Sequence, residues 1–104
     1  MKNDIGRRID LHMHSIFSDG SLLPSGIAQE AVARGYEAIA ITDHVDSSNL
    51  KMVVSSIVSV AKDLNKHLDL TVIPGAEITH TPVALIDEFA RDARKLGAKL
   101  VVAH

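Results

Sequence analysis

Six histidines stand in a chain of 104 residues that has no cysteine and no tryptophan. Two of them, His12 and His14, lie two residues apart at the end of a β-type run, Arg8, Ile9, Asp10, Leu11, His12, Met13, His14. The period-2 pleat of a strand puts both imidazoles on one face, where they can address one ion. Asp19 follows in a loop rich in Ser, Asp and Gly. Asp43 and His44 close the second apolar run, Glu77 and His80 follow the third, and His104 ends the fourth. His67 stands apart near the end of a long helical stretch, where a cationic or solvated imidazole suits the helix dipole. Imidazole and carboxylate donors without thiolate suit Zn²⁺, Mn²⁺ or Fe²⁺.

Taken singly, each residue has a bland reading. A lone histidine at a strand end is more often a polar rim residue than a ligand. Asp19-Gly20 is ordinary turn chemistry, Thr42-Asp43 suits a helix cap, and Glu77 alone is a solvated loop carboxylate. The bland readings weaken together, because all four apolar runs carry a candidate ligand at the same end. Independent accidents would have scattered them to both ends.

The elements that must position these residues alternate along the chain. A strand over residues 8–14 and a loop over residues 15–21 lead to a helix that starts near Pro24, a good first-turn residue, and stops at Gly35. Ile27, Ala28, Ala31 and Val32 form its apolar stripe. Ala38, Ile39, Ala40, Ile41 and Thr42 make a nearly continuous apolar run, as in a strand buried on both faces. Ser47, Ser48 and Asn49 are N-cap candidates for a second helix, in which Leu50, Val53, Val54, Ile57, Val58, Ala61, Leu64 and Leu68 recur at helical spacing. A third strand, Leu70, Thr71, Val72, Ile73, is expected to stop at Pro74-Gly75. A third helix from about Pro82 turns Leu85, Ile86, Phe89, Ala90, Ala93 and Leu96 inward and ends at Gly97. Residues 99–104 form a fourth strand. The order βαβαβαβ predicts an α/β fold with a parallel sheet and right-handed crossovers. An open doubly wound sheet and part of an α/β barrel both fit, and both place their sites at strand C-termini.

Composition narrows the function classes. The absence of cysteine excludes a disulfide framework, a zinc ribbon and a thiol nucleophile. A net charge of −2 argues against a dedicated nucleic-acid surface, and 3% aromatic residues leave little for base stacking. Apolar runs such as Val83-Ala84-Leu85-Ile86 fall far short of the ~20 residues of a membrane span. Residues 1–4 lack the apolar core of a signal peptide, so the expected location is the cytoplasm.

The segments Asp10-Leu11-His12-Met13-His14-Ser15, Ser18-Asp19-Gly20, Ile41-Thr42-Asp43-His44 and Gly75-Ala76-Glu77 together resemble the PHP (polymerase and histidinol phosphatase) family of metal-dependent phosphoesterases. The resemblance runs from about Arg8 to His104. It implies a distorted (β/α)7 barrel with up to three metal ions at the strand C-termini. By this resemblance His12, His14 and Glu77 hold one ion, Glu77 bridges to a second shared with His104, and Asp19 and His44 belong to a third. Asp43 takes the supporting catalytic part, orienting His44 or a bound water. The family also uses a further histidine on the next strand and a later Asp-x-His pair, and neither occurs in this chain. A barrel of this kind takes roughly 200 residues or more. Residues 1–104 are therefore expected to be the N-terminal portion of a single PHP-type domain, truncated after His104.

The implied activity is hydrolysis of a small phosphomonoester, histidinol-phosphatase-like, with less weight on a phosphodiester. Clustered metals would activate a water and clamp the phosphate oxygens. Metal binding needs unprotonated imidazoles, so activity should fall below about pH 6.5. An amidohydrolase-like hydrolase also begins with His-x-His, but it adds a strand-end lysine or histidine, and Lys99 opens its strand instead. A third possibility is an inactive fragment whose open half-barrel exposes an apolar edge and self-associates. His80 either lines a substrate pocket or caps the third helix beside Thr81 and Pro82.

Overall fold

The computed structural model describes residues 8–104, so the signal-peptide expectation drawn from residues 1–4 lies outside the described residues. The elements in chain order are β1 (Arg8–Met13), α1 (Pro24–Ala33), β2 (Tyr36–Ile41), β3 (His44–Val45), α2 (Leu50–His67), β4 (Thr71–Ile78), α3 (Val83–Leu96) and β5 (Leu100–Ala103). Every strand pairing is parallel. The expected α/β alternation is present.

The helices form where apolar spacing and terminal residues direct them. Pro24 occupies the first turn of α1, where its missing N–H costs nothing. Ile27, Ala28 and Ala31 of that helix are buried, while Val32, expected in the same stripe, is exposed. Leu50, Val53, Val54, Ile57 and Ala61 form the buried face of α2. Asn49 is at the N-cap of α2 without a side-chain cap bond. Its amide instead accepts the Asp46 N–H and donates to the His44 carbonyl, bracing the loop between β3 and α2. In α3 only Ala93 is fully buried, and Leu85, expected inward, is 38% exposed. That helix packs on α2 and on the edge of the sheet, and it has no neighbour on its outer side among the described residues.

The helices lie side by side, α1 against α2 and α2 against α3, over one face of the sheet. Ile39, Ile41, Val72, Ala76 and Ile78 meet them there and make the core. On the other face Ile9 and Leu11 of β1 are 53% and 47% exposed.

The third predicted strand does not stop at Pro74-Gly75 but runs on to Ile78 as β4. Residues 71–74 pair with β2, whereas residues 75–78 pair with β5 on the other side. Proline cannot donate to a ladder, and Pro74 stands where the neighbours change, its carbonyl accepting the Lys99 N–H at 2.7 Å. A Cβ on Gly75 would come within 2.6 Å of the Leu100 carbonyl oxygen and 2.8 Å of Thr42 Cγ2, so the close approach of β5 requires glycine. The short β3 continues the line of β2 after a break at Thr42 and Asp43, and pairs with Glu77 and Ile78. Across the sheet the strands thus follow chain order with no reversal. A doubly wound sheet would reverse at a switch point.

Candidate metal centre

A bulge in β1 sets the positions of the first two histidines. Asp10 lies opposite Ile39 and Met13 opposite Ile41, so β1 uses three steps where β2 uses two. Such an extra residue re-aims the side chains that follow it. Met13 packs against the helix-side core, and His12 and His14 flank it on the other face. Beyond His14 the chain turns back on itself: the N–H groups of Ser18 and Gly20 both donate to the Ser15 carbonyl. A Cβ on Gly20 would collide with the His14 carbonyl, so this turn too requires glycine. Asp43, fully buried, lies beneath the turn. Its Oδ1 accepts the Ser15 N–H at 2.7 Å and the Ser18 hydroxyl at 2.6 Å, and its Oδ2 accepts the Ser15 hydroxyl at 2.7 Å. These bonds pin the loop that carries Asp19.

Glu77 is on β4 between Ala76 and Ile78, both in the helix-side core, so the pleat turns it to the opposite face. There its Oε1 lies 2.6 Å from His12 Nε2 and 2.8 Å from His14 Nε2. The other ring nitrogen of His14 is 2.8 Å from Asp19 Oδ1, and Asp19 Oδ2 is 3.1 Å from His44 Nε2. Two ligand clusters result, His12–His14–Glu77 and His14–Asp19–His44, and they share His14. Within each, candidate ligand atoms lie within 4.8 Å of one another.

The donor chemistry fits a cation. A neutral imidazole carries one N–H, yet both nitrogens of His14 face carboxylate oxygens. Only a second positive centre, a proton or a metal ion, satisfies both contacts. Burial pushes the Glu77 carboxyl up, but hydrogen bonds to His12 and His14 and the charges of His44 and His12 outweigh it, holding the group below its ordinary value. Asp19 behaves alike: desolvation is outweighed by its bond to His14 and by the charges of His14 and His44. Two carboxylates ionised at neutral pH beside three imidazoles are groups that could hold a divalent ion.

The PHP domain family matches residues 10–103. The chain belongs to the PHP family. An uncharacterized protein of Methanocaldococcus jannaschii is 42% identical over 98 residues, covering 93% of this PHP chain and 45% of the relative. A phosphoribosyl 1,2-cyclic phosphate 1,2-diphosphodiesterase of Eggerthella lenta is 33% identical over 70 residues, 67% of this chain and 24% of its own. A 3',5'-nucleoside bisphosphate phosphatase of Chromobacterium violaceum is 50% identical over 36 residues, 35% of this chain and 13% of its own. The PHP chain thus spans less than half the length of these curated relatives. No solved structure matches it.

The fold brings together five of the six residues expected as ligands: His12, His14, Asp19, His44 and Glu77. His104 is in neither cluster; it is exposed, and its N–H donates to the Ile78 carbonyl at 2.9 Å. Asp43, expected to orient His44 or a water, makes its hydrogen bonds to Ser15 and Ser18. His80 does not cap α3, whose N-cap is Pro82 with no side-chain cap bond. It borders a cavity of about 360 Å³ beside Asp19, His44, Asp46, Ser48 and Thr79. His67 is the last residue of α2. Among the described residues no helix is long and apolar enough to cross a membrane. Sequence reasoning missed Ser15, Ser18 and Thr79. Thr79 alone had a signal, since it lies two residues after Glu77 and so shares its face.

Proposed function

We propose that this chain is the N-terminal portion of a PHP-type barrel that hydrolyses a small phosphomonoester with a cluster of Zn²⁺, Mn²⁺ or Fe²⁺ ions. The observation that carries this reading is His14, shared between two imidazole–carboxylate clusters at the C-terminal end of a parallel sheet. His12, His14 and Glu77 would hold one ion, and His14, Asp19 and His44 a neighbouring one. His104 is offset by two residues from Val102, the register partner of Glu77, and so belongs to the same face of the sheet. That placement supports it as a further ligand. Ions held there would lower the pKa of a bound water and clamp phosphate oxygens. Glu77, buried and ionised, keeps negative charge at the centre, and Asp43 fixes the loop that presents Asp19.

The sheet in chain order, the open apolar face and the greater length of the relatives all support a barrel completed by further chain. The names of two relatives, a diphosphodiesterase and a bisphosphate phosphatase, support phosphate ester chemistry. Against an amidohydrolase-like reaction, Lys99 precedes β5 and so lies at the end of the sheet away from the clusters. The test is phosphate release from p-nitrophenyl phosphate and from a sugar phosphate by the full-length protein with Mn²⁺, beside amide and lactone substrates. Phosphate release that depends on added Mn²⁺ is expected. Cleavage of a lactone or amide with no phosphate release would overturn the reading.

A further inference from the structure

Thr79, two residues beyond Glu77, touches both ligand clusters. Its Oγ1 is 2.6 Å from His44 Nδ1, and its hydroxyl donates to the Glu77 carbonyl at 3.3 Å. Its backbone is held on both sides: the N–H donates to the Val45 carbonyl at 3.2 Å, and the carbonyl accepts the Thr81 hydroxyl at 3.2 Å. Between the two threonines His80 adopts φ 53°, the one positive φ at a non-glycine residue among those described. A left-handed residue without glycine persists only where its surroundings hold it. A hydrogen bond from the Thr81 hydroxyl to the Thr79 carbonyl flanks it.

A hydroxyl has one hydrogen. That hydrogen has two acceptors within reach, the Glu77 carbonyl and His44 Nδ1; given to the carbonyl, it leaves Oγ1 to accept from His44, and the ring then carries its proton on Nδ1. Its Nε2 then presents a lone pair toward Asp19 Oδ2, 3.1 Å away. Two electron-rich atoms at that distance call for a cation. With the proton on Nε2 instead, His44 would bond Asp19 directly and close the position to an ion. The partner of the second ring nitrogen commonly sets the tautomer of a metal-ligating histidine.

We infer that Thr79 is a positioning residue that holds His44 in the Nδ1–H tautomer and so sets the ion affinity of the His14–Asp19–His44 cluster. The inference rests on the reading that these clusters hold divalent ions. Long-range ¹H–¹⁵N correlation on the metal-free full chain at about pH 8, above the ordinary imidazole range, reports the tautomer. Wild-type His44 should carry its proton on Nδ1, Thr79→Val should move it to Nε2, and Thr79→Ser should restore it. In a Mn²⁺ titration followed by electron paramagnetic resonance, Thr79→Val should weaken one class of site roughly 10–100-fold. The other class should be unchanged, and Thr79→Ser should restore the weakened one. A merely structural threonine would change the melting temperature without moving the tautomer. An Nε2–H ring in the wild type, or an unshifted ring in Thr79→Val, overturns the inference. If the wild type binds no Mn²⁺, the proposed function fails, while the tautomer still decides the role of Thr79.

Discussion

His14 faces a carboxylate through each ring nitrogen, so its loss is not equivalent to the loss of either neighbour. His14→Ala should empty both clusters, whereas His12→Ala and His44→Ala should each spare one. Metal-to-protein ratios after gel filtration would show the difference, and an unchanged ratio in His14→Ala would contradict it. Acid sensitivity follows from Glu77. Its carboxyl titrates lower in the fold than in the unfolded chain, so its stabilising effect is fully present above the unfolded value of ~4.3 and is lost as the pH falls through the folded value. Denaturation of the metal-free chain should therefore show an acid limb that Glu77→Gln flattens. The Asp19 shift has the same sign, but its side chain is 62% exposed and screened by water, so it adds little. Most of this site was legible in the sequence because each converging residue lies at or just beyond the C-terminal end of a β-type run. The role of Asp43 was not legible. Its partners lie 25 and 28 residues away in an irregular loop, and no periodicity connects them.

Among the elements, β4 departs furthest from what its residues suggest. Pro74-Gly75 reads as a terminator because both residues usually punctuate structure. The pair is tolerated here at the step where the ladder to β2 ends and the ladder to β5 begins on the other side. Sequence periodicity describes a single strand and carries no information on a change of neighbour, and that is why Glu77 was expected beyond the strand rather than on it. Gly75→Ala should push β5 away from β4, at about 1–3 kcal/mol as for other overpacked sites. Urea denaturation would measure this, and the amides of Leu100 and Val101 should lose hydrogen-exchange protection. The helices were easier to read. The spacing of α2 placed its buried face correctly, whereas the outer position of α3 leaves Leu85 exposed despite a suitable pattern.

For the whole molecule, the helix-covered face of the sheet is complete and the opposite face is not. Ile9 and Leu11 stand exposed on the edge strand β1, and unpaired edges invite pairing with a second chain. The 104-residue chain alone should self-associate with rising concentration in sedimentation velocity, and Leu11→Lys should shift it toward monomer. A monomer at every concentration would remove that expectation.

The order of the strands across the sheet has a consequence for synthesis. Each strand lies beside its predecessor or successor in the chain, and the five converging ligands all lie between His12 and Glu77. Contacts between near neighbours in sequence form quickly, and chains begin to fold from the N-terminus as they leave the ribosome. Asp19 and His44 lie 25 residues apart, whereas Glu77 lies 63 and 65 residues from His14 and His12, so the His14–Asp19–His44 cluster should assemble before the one that waits for Glu77.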